Sequence, residues 1–359
     1  MPEMTTAQLD FSGGSLILAR PGTGDPTLRA WDAADELLLE EAICAAAALG
    51  EPRVLVVDDQ FGALSLGLAA LSPTVVADSA VLPAALAHNA SLNPEVTPPE
   101  SVFSWINAPE GPFDLVVLRI PRQADYLAWL LRWLNRVMAD SGVLLAGGMI
   151  KHLPARSVDV FAEAVRTEQV LPARKKARVI RCNRGAATLA DWSATWKGYR
   201  LGDRKGDVGI EALPAVFARE KLDIGTRLML PHVVNEVSTA RAGDSVLDLA
   251  CGNGVLGLAA LSERRDLQLV FSDVSSQAVL SARRNVEKAF PDAKAAFSHR
   301  DGIESDPGAF DLILLNPPFH EGGVVGDHIA LRLFEQASQH LRPGGRLLLV
   351  GNRHLGYHR

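Results

Sequence analysis

Cysteine is scarce in this chain: three residues in 359, Cys44, Cys182 and Cys251. They are too few and too far apart for a disulfide framework or a CxxC metal knuckle. The nine histidines show no ligand spacing, so no metal is expected. Long apolar runs are missing as well; the stretch from Val143 to Ile150 falls far short of the ~20 residues of a membrane span. The opening residues, MPEMTTAQLDF, carry neither the basic start nor the apolar core of a secretory leader. These absences leave a cytoplasmic protein with no membrane partner as the expectation. Positive charge is in short supply over residues 1–150, with 7 Lys/Arg against 18 Asp/Glu. It is concentrated in residues 151–206, 13 against 5, and most densely in Arg174-Lys175-Lys176-Ala177-Arg178-Val179-Ile180-Arg181. A basic segment inside a chain of net charge −6 points to an anionic partner, although a solvated strand would look the same.

The rest is ordinary globular material, 48% hydrophobic and 22% charged, in a length suited to two domains. Those domains read as two copies of one plan. Residues 54–93 and 246–287 each run strand, turn, helix, strand ending in Asp, then helix ending near Asn. Downstream, Phe113-Asp114-Leu115-Val116-Val117-Leu118-Arg119-Ile120-Pro121 parallels Phe310-Asp311-Leu312-Ile313-Leu314-Leu315-Asn316-Pro317-Pro318. Short apolar strands alternating with helical stretches predict an α/β chain of two tandem doubly wound, Rossmann-like domains. The boundaries expected are 1–150 for the first domain, 151–215 for a basic connector, and 216–359 for the second. Trp192 and Trp196 fall in an alternating, strand-like run of the connector, while the aromatic stretch Trp129–Trp133 has the spacing of a core helix. The copies differ where chemistry would sit. The second has Asp248-Leu249-Ala250-Cys251-Gly252-Asn253-Gly254; the first has Asp58-Asp59-Gln60-Phe61-Gly62-Ala63, without the paired glycines. The first domain is therefore expected to be non-catalytic.

Gly252-x-Gly254-x-x-Gly257 satisfies the dinucleotide fingerprint, which alone is weak. Asp248, just before the turn, would repel a pyrophosphate but suits a cationic amino-acid group. Asp273 ends the next strand, where a carboxylate accepts both hydroxyls of a ribose. Asp301 follows the third strand, in reach of an adenine amine. A ligand with an amino acid, a ribose and an adenine is S-adenosylmethionine, with NAD as the lesser alternative. Cys251 reads as a small filler, because the backbone does the work in such a turn.

Asn316-Pro317-Pro318-Phe319 follows a strand at its carboxyl end, where open α/β sheets place ligands. Two prolines make a rigid turn and remove two N–H groups, leaving carbonyls as acceptors. The Asn316 oxygen and the Pro317 carbonyl are placed to accept the two N–H groups of an exocyclic amine and turn its lone pair toward a methyl donor. Phe319 is placed to stack on the base. His320 has no required part, since a guanine amine needs no base before attack.

With these residues in hand, the second half resembles class I S-adenosylmethionine-dependent methyltransferases that carry an N-P-P-F/Y motif. The tandem of a degenerate and an intact domain resembles the bacterial ribosomal RNA guanine-N2 methyltransferases. Segments such as Ala30–Glu36, Gln60–Ser65, Lys175–Arg178, Leu222–Arg227 and Asn352–Leu355 are most similar to the large-subunit, 23S branch. The resemblance implies cofactor contacts at Asp248, Gly252, Gly254, Asp273 and Asp301, and a guanine held by Asn316, Pro317 and Phe319. It implies RNA recognition by the degenerate domain, backbone contacts from Arg174, Lys175, Lys176 and Arg178, and a monomer acting on ribosomal RNA. Leu222–Arg227 would close over the site, with Asp223 and Thr226 as polar contacts or as core. Because residues 1–150 are acidic, any RNA contact there would need a local patch, with Arg119, Arg122, Arg132 and Arg136 as candidates. The hairpin that usually follows the last strand of such a sheet is not expected, since the sequence stops at Arg359. Other readings are a 16S guanine-N2 enzyme, an adenine-N6 or protein-glutamine methyltransferase, or a non-enzymatic RNA-binding assembly factor.

Overall fold

The computed structural model describes residues 5–22, 25, 27–201, 208–304, 306–317, 320–321, 324–325 and 328–351. The chain forms two compact units, Met1–Thr195 and Trp196–Arg359.

The first unit opens with an antiparallel hairpin, β1 (Thr6–Phe11) and β2 (Gly14–Ala19). There follow α1 (Ala33–Leu49), β3 (Val54–Val57), α2 (Ala63–Gly67), β4 (Thr74–Val76), α3 (Val81–Ser91), β5 (Val102–Phe103) and β6 (Phe113–Arg119). The unit continues through α4 (Ala124–Val137), β7 (Met138–Met149), α5 (Ser157–Ala164), β8 (Arg166–Val170) and β9 (Ala177–Asn183). Its sheet has the order β5-β4-β3-β6-β7-β9-β8. The five strands β3–β7 run parallel, and β9 and β8 pair antiparallel at one edge. Every residue of β3 is buried, as expected of a parallel strand covered by helices on both faces. Trp129 and Trp133 of α4 do lie in the core, each edge-on to Trp105 at 4.8 and 4.9 Å.

The second unit repeats the plan. A hairpin of β10 (Lys197–Leu201) and β11 (Val208–Ala212) precedes α6 (Ile224–Ser238), β12 (Ser245–Leu249), α7 (Val255–Glu263) and β13 (Gln268–Asp273). Next come α8 (Ser276–Ala289), β14 (Lys294–His299), β15 (Phe310–Leu315), a two-residue ribbon of β16 (His320–Glu321) and β17 (Val324–Val325), α9 (His328–His340) and β18 (Leu341–Leu349). The sheet is parallel in the order β14-β13-β12-β15-β18. The chain departs from β12 first to one side and later to the other, which opens a crevice at the carboxyl ends of β12 and β15.

The boundaries differ from those read off the sequence. Residues 151–195 are no connector: β9 pairs with β7 from Val143↔Asn183 to Met149↔Ala177 and buries Ala177, Val179 and Cys182. The basic run thus enters the first sheet, between β7 and β8. Nor does residue 216 begin the second unit, because the β10–β11 hairpin is tied to α8. The Asn285 side chain accepts from the Glu211 N–H (2.9 Å) and donates to the carbonyls of Glu211 (2.8 Å) and Asn253 (2.9 Å). Asn89 of α3 makes the same three bonds to Ala19 and Phe61 in the first unit. Trp192 and Trp196 flank a 3-10 turn, Ser193–Thr195, and no strand runs through them. Each lies under a guanidinium, Arg132 and Arg284 respectively.

Candidate active site

The turn after β12 is built around one buried carboxylate. Asp248 is 1% exposed, and its Oδ2 accepts the Gly257 N–H at 2.9 Å, tying strand to helix. Its Oδ1 is buried with no hydrogen-bond partner. Burial raises this carboxyl to about 8, with the nearby Asp273 adding to the rise. Gly254, the N-cap of α7, has φ +80°, and a side chain there would press on Ala282 and Phe271. A Cβ on Gly257 would run into the Phe271 ring, so α7 sits against β13 only because that residue has none. Asp273 braces the turn from the neighbouring strand, accepting from Gly252 N–H and Ser275 N–H, both at 2.8 Å.

Asp248, Gly252, Gly254 and Asp273 therefore meet at one end of the sheet. An unpartnered buried carboxylate oxygen beside an open glycine turn fits a ligand that carries an ammonium group, and would oppose a pyrophosphate. That chemistry fits the methionine end of S-adenosylmethionine. Asp301 departs from the expectation. Its carboxylate is paired with Arg332 of α9 at 2.5 Å, a partner that α9 supplies from 31 residues further on. Cys251 is buried, and burial, with Asp273 and Asp248 adding, pushes its thiol well above the usual range. It is a neutral filler, as read.

Asn316 leaves β15 beside the end of β12, where Leu249 pairs with Leu315. Its Nδ2 donates to Thr226 Oγ1 at 2.9 Å and to Asp223 Oδ2 at 3.3 Å. Asp223 is the N-cap of α6 and accepts the Thr226 N–H at 3.0 Å. Of the two readings of Leu222–Arg227, the polar one matches this geometry. Pro317 is buried next to Asn316. Phe319, like Pro318, lies outside the described residues.

Sequence reasoning missed the second layer of the site. Asn253 donates to the Tyr199 hydroxyl (3.2 Å), and Ser281 and Gln277 accept the N–H groups of Leu213 and Ala215. A signal existed: Gln277, Ser281 and Asn285 fall at i, i+4, i+8, a polar stripe on the buried face of α8.

In the first unit the corresponding place is closed. Arg119 stands where Asn316 stands in the other copy, 7% exposed, with its two terminal nitrogens on Asp32 at 3.0 Å and Nε at 3.3 Å from Asp35. Burial works against its charge, yet Asp35 and Asp32 hold it firmly protonated. Asp59 fills the turn, accepting from Gly62 N–H, Ser65 N–H and Ser65 Oγ. The suggested patch of Arg119, Arg122, Arg132 and Arg136 is therefore not a surface patch, because Arg119 and Arg132 are buried. The basic run is partly neutralised: Arg174 pairs with Glu40 at 2.6 Å and Lys175 with Glu36 at 2.5 Å. Lys176 is exposed and Arg178 half-buried.

Comparison with known proteins agrees over nearly the whole chain. The sequence profile described as "RLMG N-terminal domain" matches residues 6–186, and that described as "Methyltransferase small domain" matches residues 207–359. The ribosomal RNA large subunit methyltransferase G of Alcanivorax borkumensis is 39% identical over 355 residues, covering 96% of this chain and 89% of that protein. The protein of the same name from Pseudomonas putida (strain KT2440) is 39% identical over 365 residues, covering 100% and 93%. Among solved structures, the T. thermophilus 16S rRNA N2 methyltransferase RsmC, in complex with AdoMet and guanosine, superposes with a TM-score of 0.71 at 23% identity. It covers 97% of this chain and 90% of its own. At that identity the likeness is one of fold: two tandem α/β units. None of the described helices is long and apolar enough to cross a membrane, and the described residues hold no group of three or more metal-ligating side chains.

Proposed function

Since the chain belongs to the ribosomal RNA large subunit methyltransferase G family, we propose that it transfers a methyl group from S-adenosylmethionine to the exocyclic N2 of a guanine in 23S rRNA, acting in the cytoplasm as a monomer. The observation that carries this reading is the meeting of two features on adjacent parallel strands. The glycine turn with its unpartnered Asp248 oxygen ends β12, and Asn316-Pro317 ends β15.

Bound cofactor supplies an electrophilic methyl on a sulfonium sulfur. The protein's own residues do the remainder. Asp248 would meet the ammonium end, Gly252 and Gly254 would let the backbone come close, and Asp273 would hold the ribose hydroxyls. The Asn316 Oδ1 and the Pro317 carbonyl each accept one N–H of the guanine amine. Held so, the amine presents its lone pair instead of delocalising it into the ring. The new N–C bond would replace the methyl–sulfur bond, the sulfur departing as a neutral thioether. The two acceptors stabilise the positive charge on N2 until one N–H proton passes to water. Phe319 is assigned to the base face by its place in the motif. Asp301 is assigned to the adenine side, where it would exchange its ion pair with Arg332 for the adenine amine. The first domain, with its own site closed, serves RNA recognition, and Lys176 and Arg178 join Arg174 and Lys175 as backbone contacts that give salt-dependent binding.

The test is methyl transfer from labelled S-adenosylmethionine to unmodified 16S and 23S rRNA, followed by nucleoside analysis. N2-methylguanosine in 23S rRNA alone is expected. Label in 16S rRNA, or on another base, overturns the substrate assignment. Asn316→Ala is expected to lower the rate roughly hundred- to thousand-fold while RNA binding persists.

A further inference from the structure

The duplicated fold supplies its own control for what holds Asn316. In both units the residue at the carboxyl end of the fourth parallel strand, Arg119 closing β6 and Asn316 just past β15, reaches back to the start of the first long helix. In the second unit Asn316 donates to the N-cap, Asp223, and to the third helical residue, Thr226. In the first unit Arg119 donates to the N-cap, Asp32, and is paired with the third helical residue, Asp35. Both N-caps accept a backbone N–H of the first turn, so both are held in place by the helix itself. One clamp thus carries two different loads. Between two carboxylates it holds a guanidinium; with a carboxylate and a hydroxyl it holds a neutral amide.

We infer that Asp223 and Thr226 are positioning residues that set the orientation of the Asn316 amide. An amide has two nearly isosteric ends, one donor and one acceptor, and only the acceptor end serves an amine substrate. Two acceptors on the helix side take the Asn316 NH₂, which puts Oδ1 on the opposite side of the amide. Without them the group can rotate by half a turn and offer NH₂ to a substrate NH₂, a repulsive meeting. The clamp also ties the reactive turn to the N-terminus of α6, so that the position of that helix and the geometry of the site are one quantity. The inference rests on the reading of Asn316 as the acceptor for the target amine.

The test uses the full chain with 23S rRNA and labelled S-adenosylmethionine under single-turnover and steady-state conditions. Thr226→Val removes the hydroxyl and keeps the shape; Thr226→Ser keeps the hydroxyl. Asp223→Ser retains an N-cap but is too short to reach Asn316. Thr226→Val and Asp223→Ser are each expected to lower kcat roughly ten- to hundred-fold, with KM for S-adenosylmethionine within about threefold of the parent. Thr226→Ser restores the rate to within about threefold of the parent. In an Asn316→Ala background Thr226→Val has no further effect, because there is no amide left to orient. A parental rate in Thr226→Val, or an equal loss in the Asn316→Ala background, overturns the clamp while leaving the site assignment standing. A parental rate in Asn316→Ala itself overturns the assignment of Asn316 and the clamp with it.

Discussion

Single ionisable residues mark the difference between the two units. Burial holds the Asp248 carboxyl near 8 in the folded protein, against an ordinary 3.8. Between those values the folded, ligand-free protein binds a proton that the unfolded chain does not. The stabilisation from that proton is complete below the lower value and is lost as pH rises through about 8. Melting temperature of the ligand-free protein is therefore expected to fall between about pH 4 and 8, and Asp248→Asn to flatten part of that fall. Asp58, raised by burial and by Asp78 to about 7, contributes with the same sign and remains in the variant. An ammonium-bearing ligand favours the charged carboxylate, so S-adenosylhomocysteine should bind more tightly as pH rises toward 8, with proton release visible by calorimetry. A pH-independent affinity would remove Asp248 from the ammonium site. At Arg119 the same physics is structural. Replacing it with Met strands the buried Asp35 and the half-buried Asp32, at a cost of about 3–5 kcal/mol. Urea unfolding followed through the tryptophans of that unit measures it, and the affinity for S-adenosylhomocysteine should stay at its parental value.

At the scale of elements, side chains take the place of strand neighbours. The second strand of each opening hairpin has a helix for a neighbour and is held by side chains. Asn89 of α3 and Asn93 just beyond it bond β2, Asn285 of α8 bonds β11, and Ser281 and Gln277 take the N–H groups of Leu213 and Ala215 just after that strand. Asn285 is fully buried. Asn285→Ala leaves the Glu211 N–H and two carbonyls without their partner, at roughly 2–4 kcal/mol in all. Hydrogen exchange at Glu211 should accelerate correspondingly, and an unchanged rate would show that the clasp is dispensable. Helix starts at this scale rest on short local motifs. Asp32-x-x-Asp35 forms a capping box, and Asp223 and Ser275 cap α6 and α8. What could not be read was that the first and second of these caps also hold residues at positions 119 and 316.

For the whole molecule, duplication raises the question of how many cofactors one chain takes. The first unit keeps the glycine N-cap of its turn helix, Gly62, but has Gln60 for Gly252 and Ser65 for Gly257, and Asp59 occupies the helix N–H groups. Titration with S-adenosylhomocysteine is expected to give one site per chain. A second site would mean that the Arg119–Asp32–Asp35 cluster opens. Even Arg119→Asn should leave the count at one, because Asp59 still fills the turn.

Local spacing was enough to determine the α/β alternation, the internal repeat, the glycine turn with its two flanking carboxylates, and the Asn-Pro turn after its strand. Each of these depends on the order of residues within a few turns of chain, and such order is what a sequence displays. Partnership between distant residues was decided only by the tertiary structure. Arg119 looked like a surface cation until α1 brought Asp32 to it from 87 positions away. Arg174 and Lys175 read as unpaired cations until the same helix set Glu40 and Glu36 beside them. Asp301 met Arg332 only once α9 had packed, and residues 151–195 joined the first sheet because β7 offered β9 an unpaired edge. A charge is cheap to place in a sequence, but its role follows from the charge and the burial that folding puts next to it.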